Sequence, residues 1–501
     1  MPVRYPKLYQ INTRLWLGDI SRMLQRPVTL DDIPDQALDQ LARLGFDWVW
    51  LLGIWQTGAK GREIARRLPE LRKAYQDVLP DLRDEDIPGS CFSIAAYSVP
   101  AEMGGEAALG RLRSRLQARG LRLMLDFVPN HTAQDHPWVF AQPEYYIQGD
   151  QDDLKREPGN YAQVEGTHGR RVLAYGRDPY FPGWTDTLQL NYGNARLQKA
   201  MQTELMHIAQ CCDGVRCDMA MLVLPEVFYR TWGIQMQPFW PRVIPHIKKA
   251  IPGFVFMAEV YWDLEAALQQ QGFDYTYDKR LYDRLRAQAS IPVRQHLQAD
   301  LDYQEKLVRF LENHDETRAA EAFPSNVHQA AALVTYLAPG LRFFYQGQLQ
   351  GFRKRVPVQL NRGPLEDPDP CIQNFYLQLL DLLKLPGLVD GDWQLLACSP
   401  AWDRNPGWEN FIVYAWQSQA GERLLVAVNY APVQSQCYVK LPADWLQAVA
   451  ESNPEDAFQG FICLEDQLAE ITYQREVGRL LQEGLYLDMP AWGGHVFRVV
   501  G

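Results

Sequence analysis

The sequence contains no run of eighteen apolar residues, no CxxC pair and no excess of basic side chains. The first absence argues against a membrane-spanning helix, because crossing the hydrocarbon core takes about 20 predominantly apolar residues. The second removes the usual zinc-site and thiol-redox spacings. Eight cysteines, with Cys211 and Cys212 adjacent and Cys217 close behind, then read as reduced and mostly buried thiols. The third sets the partner class: a net charge of −11 and a pI near 5.4 give a surface that repels phosphate backbones, so no nucleic-acid partner is expected. The start, Met1-Pro2-Val3-Arg4-Tyr5-Pro6, lacks the pattern of a charged start followed by an apolar stretch, so the expected location is the cytoplasm. Internal repeats, low-complexity tracts and flexible linkers are missing as well.

What is there is apolar mass. Of 501 residues, 47% are hydrophobic, which is ample for a large core and suggests two or three domains. Aromatics reach 12%, with 15 Trp and 24 Tyr, a supply of flat faces that serves core packing and sugar rings alike. A neutral substrate fits this charge balance better than an anionic one.

The order of patterns is strand, helix, strand, helix. Leu8 to Asn12 alternates like a first strand, and Asp35 to Leu44 is helical and stops at Gly45. Phe46 to Leu52 is a nearly continuous apolar run, interrupted by Asp47, of the kind found in strands buried on both faces of a parallel sheet. A long Arg-, Asp- and Pro-rich connection follows, then a helix over Ala107–Arg119 and a third strand over Leu121–Val128. Further strands are expected at Gly214, Phe254–Glu259, Phe273–Thr276, Lys306–Leu311 and Leu341–Tyr345. Eight strands with intervening helices predict a (β/α)8 barrel. Residues 1–131 and 187–387 are assigned to it. The turn-rich, aromatic stretch 132–186 reads as an inserted subdomain, since a structureless loop of that length is unusual in a compact fold. Residues 388–501 carry short strands between turns, as in an antiparallel β-sandwich.

Polar residues gather where the barrel strands end. Strand three ends Asp126-Phe127-Val128-Pro129-Asn130-His131, strand four Arg216-Cys217-Asp218, strand five Met257-Ala258-Glu259, and strand seven Glu312-Asn313-His314-Asp315. In a strand, positions i and i+2 share a side, so Arg216 and Asp218 project together. On that stretch alone a buried structural ion pair is the competing reading. Three acids, two histidines and an arginine directed at one rim, where barrel active sites sit, favour chemistry.

Together these stretches resemble the four signature regions of the α-amylase family of glycoside hydrolases. The segment 126–131 is similar to its DxxxNH region and 214–218 to GxRxD, Glu259 matches the third region, and Asn313-His314-Asp315 matches the fourth. The order matches too, as do the insertion after strand three (domain B) and the terminal β-domain. The resemblance implies a retaining mechanism, with Asp218 as nucleophile, Glu259 as general acid and base, and Asp315 as the third acid on the sugar hydroxyls. It implies that His131 and His314 bind the same sugar, that Arg216 keeps Asp218 ionised, and that Asp126 orders the rim. Cys91 to Tyr97 is similar to the family's GYxxxDY, placing Phe92 where an aromatic stacks on the sugar.

Two departures concern the calcium that many members hold between barrel and domain B. Leu222 stands where a histidine ligand is usual and Gln189 where an aspartate is usual, and leucine offers nothing to a cation that takes about six to eight oxygens. The expectation is no cofactor and no calcium at this position, with Asn130 holding backbone instead. Met219, where a small residue is common, adds bulk on the acceptor side. Trp55, Tyr180, Trp184, Tyr261 and Trp262 are open between stacking and core roles. The implied function is cleavage of α-glucosidic bonds in α-glucans or short oligosaccharides. Transglycosylation, phosphorylase-type transfer and a non-catalytic sugar-binding role remain as alternatives.

Overall fold

The computed structural model describes residues 3–166, 169–446 and 460–500. Eight parallel strands close into a barrel: β1 Lys7–Asn12, β2 Trp48–Leu52, β3 Arg122–Phe127, β4 Gly214–Cys217, β5 Val255–Ala258, β6 Tyr275–Tyr277, β7 Leu307–Arg309 and β8 Leu341–Tyr345, with β8 pairing back onto β1. Each strand expected from the sequence is present. The later ones are short: β6 and β7 have three residues each, the β6 run beginning before its strand and the β7 run continuing through Phe310 and Leu311 into the loop at the rim. Strands β2 and β8 are buried along their whole length, which explains why they read as continuous apolar runs.

Register sets the height of the rim residues. Arg216 on β4 lies level with Asp126 on β3 and Met257 on β5. The ladder continues one step past the assigned strands, with Asp218 N–H donating to Phe127 O at 2.8 Å and Glu259 N–H to Cys217 O at 3.0 Å. Both acids therefore leave their strands at the C-terminal mouth while their backbones are still fixed by neighbouring strands.

The connection after β2 is not a plain loop. It holds two helices, Ala59–Arg67 and Pro69–Val78, and a small core in which Ala65, Tyr75, Leu79 and Ile87 meet Leu360. Arginines and acids on the outer faces dilute the apolar period there. Between β3 and β4 the chain makes the inserted unit. The strand His131–Ala133 pairs antiparallel with Thr187–Gln189 at its base, and three further strands, Gln148–Gly149, Tyr161–Gly166 and Gly169–Ala174, form a sheet above.

The C-terminal unit is two antiparallel sheets. Six strands follow the order Asp392–Leu395, Phe411–Gln417, Arg423–Asn429, Gly494–Val500, Phe461–Asp466, Thr472–Glu476, and three more the order Cys398–Pro400, Ser435–Val439, Leu485–Met489. The central strands are apolar on both faces for a geometric reason. Ile412, Tyr414 and Trp416 pack against the barrel, while Phe411, Val413 and Ala415 face the smaller sheet. The barrel contact carries specific bonds: Tyr414 Oη donates to Leu333 O (2.9 Å) and Trp416 Nε1 to Leu337 O (2.8 Å). Among the described residues no helix is long and apolar enough to cross a membrane.

Candidate active site

The acids at the ends of β4 and β5 converge on one guanidinium. Arg216 is fully buried; its Nη1 donates to Asp218 Oδ1 at 2.7 Å and stands 3.4 Å from Asp126 Oδ1, and its Nη2 lies 2.7 Å from Glu259 Oε2. Its planar head is walled by Trp50 and Phe92, 5.3 and 5.2 Å from the ring centroids. Such a fork holds two carboxyls in fixed neighbouring positions, which a flexible ammonium would not do.

Glu259 has two further partners. Met219 N–H donates to its Oε2 at 2.7 Å and Tyr261 Oη to its Oε1 at 2.9 Å. Met219 adopts a left-handed backbone, φ 41° and ψ 46°, uncommon for a side chain of its size. This conformation turns the chain off β4 into the short helical turn Ala220–Val223, and Ala220 N–H bonds Glu259 O at 3.0 Å. Strain held at the residue after Asp218 is of the sort that accumulates at functional sites.

Burial dominates the electrostatics. It pushes Glu259 up to about 6, against the opposing pull of Arg216. Asp218 is also raised from its ordinary value by burial, with Arg216 opposing, so the arginine offsets desolvation and does not bring the acid below its usual range. Asp126, held by Trp50 Nε1 at 3.2 Å, rises to about 6 for the same reason. Asp315 differs. It stands at the mouth with its side chain 44% exposed; the enclosing wall raises its pKa, but His314, whose Nε2 is 3.0 Å from Oδ2, draws it down to about 2. His131 is lowered to about 4 by burial, and so is neutral at pH 7.

A cavity of about 300 Å³ opens over these groups. Asp218, Glu259, Asp315, His131 and Phe92 lie on its wall. Asp126, Arg216 and His314 lie behind it. His314 is buried, its Nδ1 accepting from Gln10 Nε2 at 2.9 Å and its ring 5.4 Å from that of Phe92, so it braces Asp315 and Phe92 from beneath. Of the open aromatics, Trp184 and Tyr261 reach the wall. Trp55 is buried and donates to Asp126 O at 2.7 Å, and Tyr180 and Trp262 pack edge to face, centroids 4.9 Å apart. Sequence reasoning missed Ser90, Asp186, Thr187 and Gln359 on the wall, and the hydrogen-bonding role of Tyr261. Ser90, Asp186, Gln359 and Tyr261 sit in loops with no periodic signal, and Thr187 begins a strand of only three residues.

Asn130 and Gln189 form a closed pair between the insertion's base strands. Asn130 Nδ2 donates to Gln189 Oε1 at 3.1 Å, and Gln189 Nε2 donates to Asn130 Oδ1 at 2.9 Å. Both amide oxygens are thus already engaged, and Leu222 is buried and apolar. These donors do not fit a hard cation, which needs several free oxygens.

A barrel with an insertion after β3, a β-sandwich behind it and three acids around one mouth defines a class, and the sequence comparison agrees: residues 30–374 match the alpha amylase catalytic domain, so the chain belongs to the α-amylase family. Among curated relatives, alpha-amylase MalA of Haloarcula japonica is 23% identical over 360 residues, covering 70% of this chain and 44% of that protein. Alpha-amylase 3 of Dictyoglomus thermophilum is 20% identical over 317 residues, covering 58% and 60%. The matches thus span less than two thirds of either relative. Among solved structures, the maltogenic alpha-amylase AmyB from Thermotoga neapolitana superposes with a TM-score of 0.70 at 17% identity, covering 99% of both chains. An alpha-amylase from Lactobacillus plantarum gives 0.67 at 20%, again with 99% of both covered. At these identities the structural likeness speaks for the fold.

Proposed function

We propose that this chain cleaves α-glucosidic bonds of α-glucans or short α-gluco-oligosaccharides with retention of configuration. Protonated Glu259 gives its proton to the glycosidic oxygen as Asp218 attacks C1; the C1–O bond breaks and a glycosyl ester forms on Asp218. Glu259, now a carboxylate, takes a proton from water, whose oxygen attacks C1 and frees Asp218. Asp315 holds the sugar's hydroxyls, Phe92 stacks on the ring and neutral His131 hydrogen-bonds it. The supporting observation is the guanidinium shared by Asp218 and Glu259. A shared guanidinium suits the close carboxyl pair, about 5–5.5 Å, of retaining enzymes better than the wider pair of inverting ones.

The test is a panel of maltose, maltotriose, trehalose, sucrose, isomaltose and soluble starch, with Asp218→Asn beside the wild type. Release of glucose or maltose, lost by about 10³-fold or more in the variant, is expected; undiminished turnover in Asp218→Asn refutes the assignment. Transfer to a sugar acceptor is the second reading, favoured by Met219, Trp184 and Tyr261, which give the cavity wall surface for an acceptor ring. Products longer than the substrate would mark it.

Calcium takes no part at the usual family position in this reading, the Asn130–Gln189 amide pair holding the junction instead. EDTA is expected to leave the melting temperature unchanged within about 1 °C, and a drop reversed by added calcium would refute this. A cytoplasmic location, in keeping with the free buried thiols of Cys91, Cys212, Cys217 and Cys437, completes the proposal.

A further inference from the structure

A second and larger cavity, about 700 Å³, lies beside the mouth and shares no wall residue with the catalytic one. It sits between the helix Thr13–Leu24 that follows β1 and the loops after β2. That volume is in the range of small-molecule sites. Leu17, Val99 and Met103 give it an apolar side, and Gln56 and Asn361 a polar one.

Arg14 is the unusual member of this wall. It is 7% exposed, and a guanidinium buried to that degree normally faces a carboxylate. Arg14 instead donates from Nη1 to Gly89 O at 2.6 Å and from Nη2 to Thr57 Oγ1 at 3.1 Å. Among the described residues no carboxylate is within ion-pair distance of it, or of Arg62 on the same wall. Burial, joined by the like charge of Arg62, pulls the Arg14 pKa down against a smaller opposing pull from Glu102, as expected of a cation short of a counter-charge. The other two arginines here are matched, Arg22 with Asp19 and Arg362 with Asp81 and Asp86. Glu102 is the one acid of the wall without an arginine partner, so the two free guanidiniums exceed it.

We propose that this cavity binds a phosphorylated small polar molecule of about hexose-phosphate size, its phosphate on Arg14 and Arg62. Guanidiniums match phosphate oxygens with paired N–H donors, and a phosphate dianion neutralises two of them where a carboxylate neutralises one. The hydroxylated remainder lies along Gln56 and Asn361, against the apolar side. Arg14 also ties this site to Gly89, one residue before Ser90 on the catalytic wall.

Calorimetric titration of the full chain with glucose 6-phosphate, inorganic phosphate and glucose tests this. Both phosphates are expected to bind, glucose 6-phosphate the tighter, and both to lose about tenfold or more in affinity in Arg62→Gln and in Arg14→Gln. Glucose, which lacks the phosphate, is expected to bind alike in the wild type and both variants. The proposal is overturned if glucose 6-phosphate binds no tighter than glucose, if it fails where inorganic phosphate binds, or if its affinity survives the substitutions. Should Arg14→Gln not fold, the exposed Arg62→Gln decides alone.

Discussion

Replacing Tyr261 with phenylalanine isolates one hydrogen bond on the proposed acid. Tyr261 Oη donates to Glu259 Oε1 at 2.9 Å, a bond that favours the ionised carboxylate. Glu259 sits at about 6 with that bond in place. A hydrogen bond to a charged group has a net worth of about 1.5–3 kcal/mol, and one pKa unit corresponds to about 1.36 kcal/mol. The full value is a shift of about one to two units. Glu259 keeps Met219 N–H and Arg216, so the lower end applies and its pKa rises by about one unit, to about 7. The general acid must be protonated, so the alkaline limb of kcat/KM moves upward by the same amount. The assay is hydrolysis of maltotriose for the two proteins between roughly pH 4 and 9, which brackets the Glu259 value. Because Asp218 and Glu259 share Arg216, the limbs report the pair; the direction is unaffected. An alkaline limb that stays put or moves down would show that Glu259 is not the titrating acid or that Tyr261 does not bond it. A merely structural loss would lower activity at every pH without displacing the limb.

Two further outcomes follow from buried charge. Arg216→Gln leaves Asp126, Asp218 and Glu259 without their shared cation, at a cost of about 3–5 kcal/mol, read as a lower urea midpoint at neutral pH; an unchanged midpoint contradicts the buried triad. Glu265 is buried without an ion-pair partner among the described residues, and burial raises it to about 7 from 4.5. A raised carboxyl supports the fold below about pH 4.5 and loses that contribution as pH climbs through 7, by at most about 3 kcal/mol. Glu265→Gln should therefore flatten the fall in stability between pH 5 and 8, and an unaltered slope refutes the assignment.

The sequence determined the barrel through its periods, and the candidate acids through where those periods stop. Asp218 and Glu259 follow directly on apolar strands, so register and position were readable from runs of a few residues. The C-terminal strands Phe411–Gln417 and Arg423–Asn429 were equally plain, being apolar on both faces. What the sequence did not carry were features made by side chains meeting across long separations. The helices between β2 and the Phe92 segment were hidden by charged outer faces, and Asp186 and Gln359 reach the mouth from loops without any pattern. Local spacing also said too little about Arg216. Two residues apart, Arg216 and Asp218 read as a pair that projects together, whereas the tertiary structure surrounds both with Asp126, Glu259 and apolar wall, and desolvation sets the direction of the shift. Periodicity records which face of an element is buried. How many charges end up sharing one dry space depends on strands that the chain brings together from about 90 residues away, and only closure of the barrel decides it.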